Sequence, residues 1–171
     1  SPTGKNLFGV TFGNDIFLGV GKDGNIVRST DNGSSWDNAT SPTENNLWDI
    51  EFGNDIFVAV GVSGNIVRST DNGSTFDNVT SPTGNKLLEV TFGNDIFLAV
   101  GVSGNIVRST DNGSTFDNVT SPTGNGIEAV GFGNNTFVAV GVSGNIIRST
   151  DNGSTWDNVT SPTGNTIYGV S

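Results

Sequence analysis

The chain has 171 residues and a formal net charge of −10, from seven Lys plus Arg against seventeen Asp plus Glu, with no His and no Cys. That balance would repel a polyanion and leaves no basic patch to release counterions, so nucleic acid and acidic membranes are excluded as partners. Without Cys there is no disulfide framework, thiolate nucleophile or zinc–thiolate site, and without His the commonest general base and transition-metal ligand are missing; neither a cofactor nor a metal is expected.

A chain of this size buries roughly 70% of its unfolded surface, enough for a true core. Apolar residues make up 33%, and the 25 Gly with many Asn, Ser and Thr indicate turn-rich β structure rather than disorder. No apolar run approaches the roughly eighteen residues that span a bilayer. No charged-then-apolar leader precedes the first copy, and with no Met anywhere the chain reads as a processed or trimmed product.

Everything is spaced by one octet. Ser29–Trp36 (STDNGSSW) returns at Ser69–Phe76, Ser109–Phe116 and Ser149–Trp156, each time forty residues on. Residues 1–40, 41–80, 81–120 and 121–160 are four complete copies in one repeat domain, and 161–171 begins a fifth with its first strand. The second and third copies differ at seven of forty positions, which points to recent duplication or deliberate consensus building.

In the third copy, turn signals cut four short apolar runs, in chain order Leu87–Phe92, Ile96–Val100, Ile106–Ser109 and Thr115–Thr120. All are too short for helices, and β-branched or aromatic residues dominate them, so each copy is predicted to be a four-stranded antiparallel meander. Both faces are apolar: Ile96, Leu98 and Val100 oppose Phe97 and Ala99, and Leu87 is expected to oppose Val90 and Phe92. Such sheets need a neighbour on each side. Radial packing around an axis supplies them, which predicts an all-β propeller of four-stranded blades, four per chain plus an extra innermost strand.

The octet resembles the Asp-box, or BNR repeat, of sialidase-like and other β-propellers, with pattern S-x-D-x-G-x-T-W/F. Ser69, Asp71, Gly73, Thr75 and Phe76 fit it fully, as do Ser109, Asp111, Gly113, Thr115 and Phe116, and Ser149, Asp151, Gly153, Thr155 and Trp156; Ser29, Asp31, Gly33 and Trp36 fit with Ser35 in place of Thr. The resemblance implies a structural role for the box, and the residue chemistry agrees. An Asp at the corner of a tight turn accepts backbone N–H groups, Gly takes a positive φ, and the aromatic ring folds back under the turn. The resemblance also allows a secreted or extracellular location, which the residues alone do not specify.

A sialidase-type hydrolase would need an arginine cluster and a tyrosine nucleophile with an acidic partner. Here Tyr168 is the one tyrosine, and Arg28, Arg68, Arg108 and Arg148 occupy one equivalent place per copy, so symmetry spreads them apart. They are expected to form salt bridges to neighbouring Asp residues. The spacing around Asp111, Asn112 and Asp117 fits no EF-hand loop, so calcium is not expected there. Sequons such as Asn78-Val79-Thr80 follow from repetition of an Asn- and Thr-rich unit.

Copies disagree most at the positions equivalent to 4–11, all eight of which vary. This first strand is expected to line the channel, where variation reads first as tolerance of loose packing and alternatively as residues shaped for a ligand or partner. On the second reading Trp48, Asp49, Glu51, Glu89 and Glu128 are the candidate binding residues. The expected function is a non-enzymatic structural or interaction scaffold, with a lectin carrying repeated sites between blades as the alternative and glycan as its ligand. Four blades make a cramped ring, so two chains closing an eight-bladed ring are the expected assembly, and a four-bladed monomer the alternative.

Overall fold

The computed structural model describes residues 4–170; the start of the first loop, residues 1–3, and Ser171 lie outside the described residues. Four antiparallel sheets follow one another along the chain, each with its strands in sequence order. The first blade is β1 (Leu7–Gly13), β2 (Ile16–Gly21), β3 (Ile26–Ser29) and β4 (Asp37–Asn38). The second is β5 (Leu47–Gly53), β6 (Ile56–Gly61), β7 (Ile66–Ser69) and β8 (Asp77–Val79). The third is β9 (Leu87–Gly93), β10 (Ile96–Gly101), β11 (Ile106–Ser109) and β12 (Asp117–Val119), and the fourth is β13 (Ile127–Gly133), β14 (Thr136–Gly141), β15 (Ile146–Ser149) and β16 (Asp157–Val159).

Local chemistry sets these boundaries. The first hairpin turns through Asn14 and Asp15, at φ 51° and 60°, between the paired residues Gly13 and Ile16. Two positive φ angles define a type I′ turn, whose twist matches its strands, and Asn and Asp tolerate that region better than most residues. The fourth strand is shorter than the sequence suggests, because Thr115 and Phe116 belong to the preceding turn and ladder pairing runs only from Asp117 to Val119.

Alternation along the second and third strands gives each blade two apolar faces. Phe57, Ala59 and Val67 pack against Leu18, Val20 and Ile26 of the first blade, while Ile56, Val58, Val60 and Ile66 pack against Phe97, Ala99 and Val107 of the third. Ile96, Leu98, Val100 and Ile106 meet Phe137, Ala139 and Ile147 in the same way. Fully burying one such side chain contributes about 1.5–3 kcal/mol, so the three seams hold the blades together. One orientation departs from expectation. Leu87 joins Val90 and Phe92 in the same seam instead of opposing them. A bulge at Leu88 is the cause: Leu87 pairs with Gly101 and Glu89 with Val100, so one extra residue breaks strict alternation.

First strands form the inner wall, with β1 packed on β5, β5 on β9, and β9 on β13. Among the described residues no comparable packing returns from the fourth blade to the first. The four blades therefore make an arc whose leading face is uncovered: Leu7, Phe8, Val10 and Phe12 are 40–65% exposed, whereas Leu47 and Ile50 are at 0% and 2%. At the trailing end, residues 161–170 form no ladder pairing among the described residues, and Ile167 N–H donates to the Gly141 carbonyl at 3.1 Å.

Candidate interaction surface and the clasps between blades

In each Asp-box the serine is the buried pivot. Ser109, 1% exposed, donates its hydroxyl to Asp111 Oδ1 at 2.8 Å and accepts the Gly113 N–H at 2.8 Å. Asp111 then takes the Thr115 N–H on Oδ1 at 2.9 Å and the Thr115 hydroxyl on Oδ2 at 2.7 Å. Asp31, Asp71 and Asp151 repeat this with Ser35, Thr75 and Thr155. The aromatic position closes the turn from beneath: Trp36 and Trp156 donate Nε1–H to the Gly33 and Gly153 carbonyls, and Phe76 and Phe116 are buried in the equivalent places. Hydrogen bonds to the ionised form hold Asp31 and Asp151 down at about 2, the side-chain hydroxyl of Ser35 or Thr155 being the largest cause. Both oxygens of each carboxylate are occupied within its own turn. Among the described residues no group of three or more His, Cys, Asp or Glu is placed to hold a metal ion.

Among the described residues the arginines do not form the expected salt bridges. Arg28, Arg68 and Arg108 each donate Nε–H to a backbone carbonyl of the next blade's Asp-box, at Asn72, Asn112 and Asn152, over 2.6–2.7 Å. Cross-strand Asp37, Asp77 and Asp117 stand opposite them in register, but the carbonyl is the acceptor that ties two blades together. A second clasp joins the same turns. Asn54 Nδ2 donates to Asp95 Oδ1 at 2.8 Å and to Asn112 Oδ1 at 3.1 Å, and Asn14 does likewise with Asp55 and Asn72. Sequence reasoning passed over these asparagines; their recurrence at one place in every copy was the available signal.

Two candidate binding residues on the inner wall are engaged with backbone. Asp49 Oδ2 accepts the Val90 N–H of the next blade at 3.0 Å, and Glu89 Oε2 accepts the Val130 N–H at 2.6 Å. These carboxylates satisfy edge donors of the innermost strands. Glu51 instead accepts its own neighbour's N–H, at Phe52, over 2.9 Å, and Glu128 stands half-buried on β13. Burial pushes Asp49 and Glu51 above the usual carboxylate range; it pushes Glu89 up to about 7, against the Val130 hydrogen bond and with help from the negative charge of Asp49 and Glu51. Trp48 stacks on Phe8 with ring centroids 4.6 Å apart, and Lys86 Nζ lies 3.8 Å from the centre of the Trp48 ring. The inner wall thus carries an aromatic and cationic ledge beside half-buried acids.

A larger opening lies between blades near the outermost strands. A cleft of about 490 Å³ separates β8 from the Asp-box of the third blade, lined by Arg68, Asp77, Asn78, Thr80, Thr115 and Phe116 among others. Between the first and second blades the corresponding edges are joined directly, with Thr40 N–H donating to the Ser74 carbonyl and Phe76 N–H to the Thr40 carbonyl.

Four-stranded meander blades set side by side, each closed by an Asp-box clasp, define the chain as a β-propeller of Asp-box type. No protein-family model matches the sequence, and no curated protein does. Solved structures do resemble it. YCF48 from Cyanidioschyzon merolae superposes with a TM-score of 0.75 at 19% identity over 99% of this chain and 60% of that one, and YCF48 bound to D1 peptide gives 0.76 at 16% over 99% and 58%. An ancestral GH74 enzyme gives 0.76 at 20% identity, covering 93% of this chain but 24% of its own. The computationally designed Ika4 protein gives 0.69 at 14%, covering 85% of this chain and 91% of that one. The chain spans about three fifths of the YCF48 chains, and at these identities the likeness is one of fold.

Proposed function

We propose that the protein is a non-catalytic interaction scaffold that works as a closed eight-bladed ring of two copies. One observation carries the scaffold reading. The side chains that chemistry would require, Asp49, Glu89, Arg28, Arg68, Arg108 and the Asp-box aspartates, are engaged in hydrogen bonds to backbone or to turn hydroxyls. Tyr168 is 77% exposed, and the arginines stand one per blade instead of gathering in a cluster. A panel of chromogenic glycosides tests this: no turnover is expected, and turnover that disappears in Asp49→Asn or Glu89→Gln would overturn it. Ring formation is supported by the uncovered apolar face of β1, and light scattering giving the mass of one chain would sink it.

That YCF48 has been seen with a bound peptide supports a peptide or protein ligand for a fold of this kind. The Phe8–Trp48–Lys86 ledge is the surface we assign to such a ligand, because it combines stacked rings with a cation where the copies vary most. A second reading, glycan binding, is favoured by the cleft between blades two and three, where a guanidinium, a carboxylate, an amide and hydroxyls converge around about 490 Å³. A glycan array separates the two: binding lost in Asn78→Ala but kept in Trp48→Ala would favour the lectin.

A further inference from the structure

The two ends of the arc carry matching halves of the same joint, and we infer that Phe12 of one copy seats on Gly133 of a second copy. This rests on the two-copy ring proposed above and specifies how the ring closes. Inside the chain the joint is built three times. A Cβ placed on Gly13, Gly53 or Gly93 would lie 2.1–2.2 Å from the ring of Phe52, Phe92 or Phe132 of the next blade, so each glycine is a seat for an aromatic ring. Gly133 is the fourth such seat and has nothing within 4 Å of its Cβ position. Phe12, the ring that has no preceding blade to receive it, is 50% exposed.

Other unpaired halves fall into the same register. Gly73, Gly113 and Gly153 lie against Leu18, Val58 and Leu98 of the preceding blade, whereas Gly33 faces open space; the equivalent side chain at the far end is Val138, which lines an unfilled cleft of about 180 Å³ with Phe132, Gly133 and Thr136. Arg148 and Asn134 have the positions from which Arg108 and Asn94 reach the next Asp-box. In the closed ring Arg148 donates to the Asn32 carbonyl of the second copy, and Asn134 donates to Asp15 and Asn32 of that copy. The cleft also touches Val170, so seating Phe12 displaces residues 167–170 from the place that β1 of the second copy takes. Because each end matches only the opposite end, the contact is head to tail, and a closed ring leaves no half-joint unpaired; two copies supply the eight blades of the ring proposed above.

Gly133 gives a test that spares the single chain, because its backbone φ is not in the left-handed region and its Cβ position is empty. Sedimentation velocity of the wild type and of Gly133→Val, with circular-dichroism melts as a check on folding, reads the joint. Two-chain mass for the wild type and single-chain mass for a folded Gly133→Val variant are expected, with at least a tenfold weaker dimer; Phe12→Asp should behave alike. A wild-type dimer that Gly133→Val leaves intact overturns this joint while the ring reading stands, and a wild type that stays at single-chain mass overturns both.

Discussion

Arg68 reaches across a blade boundary to the Asn112 carbonyl, 2.7 Å from its Nε, and so ties the third strand of one blade to the Asp-box turn of the next. Arg68→Ala should lower stability by about 1–2 kcal/mol, a net hydrogen bond to a charged donor reduced by partial exposure. Arg68→Lys keeps the charge but loses the planar Nε–H, so it should fall with the alanine variant in urea titration. Full rescue by Lys would mean that charge, and not this directed bond, matters.

Asp111→Ala tests the clasp within a blade. Three donors lose their acceptor, but Thr115 is exposed, so only the Ser109 hydroxyl is left stranded in a buried site. The expected cost is about 1–2 kcal/mol. An unchanged thermal melt would show that the box survives without its aspartate.

Much of this was legible from residues alone. Period, strand order, alternation on the second strand and the Asp-box turn are local patterns that a sequence carries on its face. What was hidden lies between copies. Asp49 meets Val90 and Glu89 meets Val130 at a separation of 41 residues, and Arg68 meets Asn112 at 44, so each pairing depends on the offset between neighbouring blades. Acidic residues on a variable strand read as a binding site because nothing local says that the next blade offers an unpaired N–H. The bulge at Leu88 was hidden for a similar reason, since no glycine or proline marks it.

Glu89 should make stability fall as pH rises. Its carboxyl titrates at about 7 in the folded chain against 4.5 for an ordinary glutamate, so between those limits the folded state binds more protons than the unfolded one. Stability is therefore higher near pH 5 than near pH 8, with Asp49 and Glu51 adding in the same direction. Below pH 4 the sign reverses, because Asp31 and Asp151 titrate at about 2 and their stabilisation is lost as pH falls from about 4 to 2. Urea midpoints across pH 3–9 should trace a maximum near pH 5, and Glu89→Gln should flatten its alkaline limb. A midpoint that climbs steadily to pH 8 would contradict the burial of these acids.

Gly53→Ala isolates the ring-on-glycine contact inside one chain. The new methyl carbon would lie 2.2 Å from Cγ of Phe92, a distance that no rotamer of alanine relieves, so the second and third blades must separate or the ring must tilt away from Phe97, its neighbour at 4.7 Å. Overpacking of this kind costs about 1–3 kcal/mol. Removing the ring should relieve it: Phe92→Ala is destabilising by itself, yet the double variant should be less destabilised than the sum of the two, by about 1 kcal/mol or more. Gly133→Ala, at the same place in a blade with no follower, should leave the melt of a single chain unchanged. Equal effects at Gly53 and Gly133 would mean that the glycine serves its own turn, whereas a cost confined to Gly53 makes it a seat for the next blade.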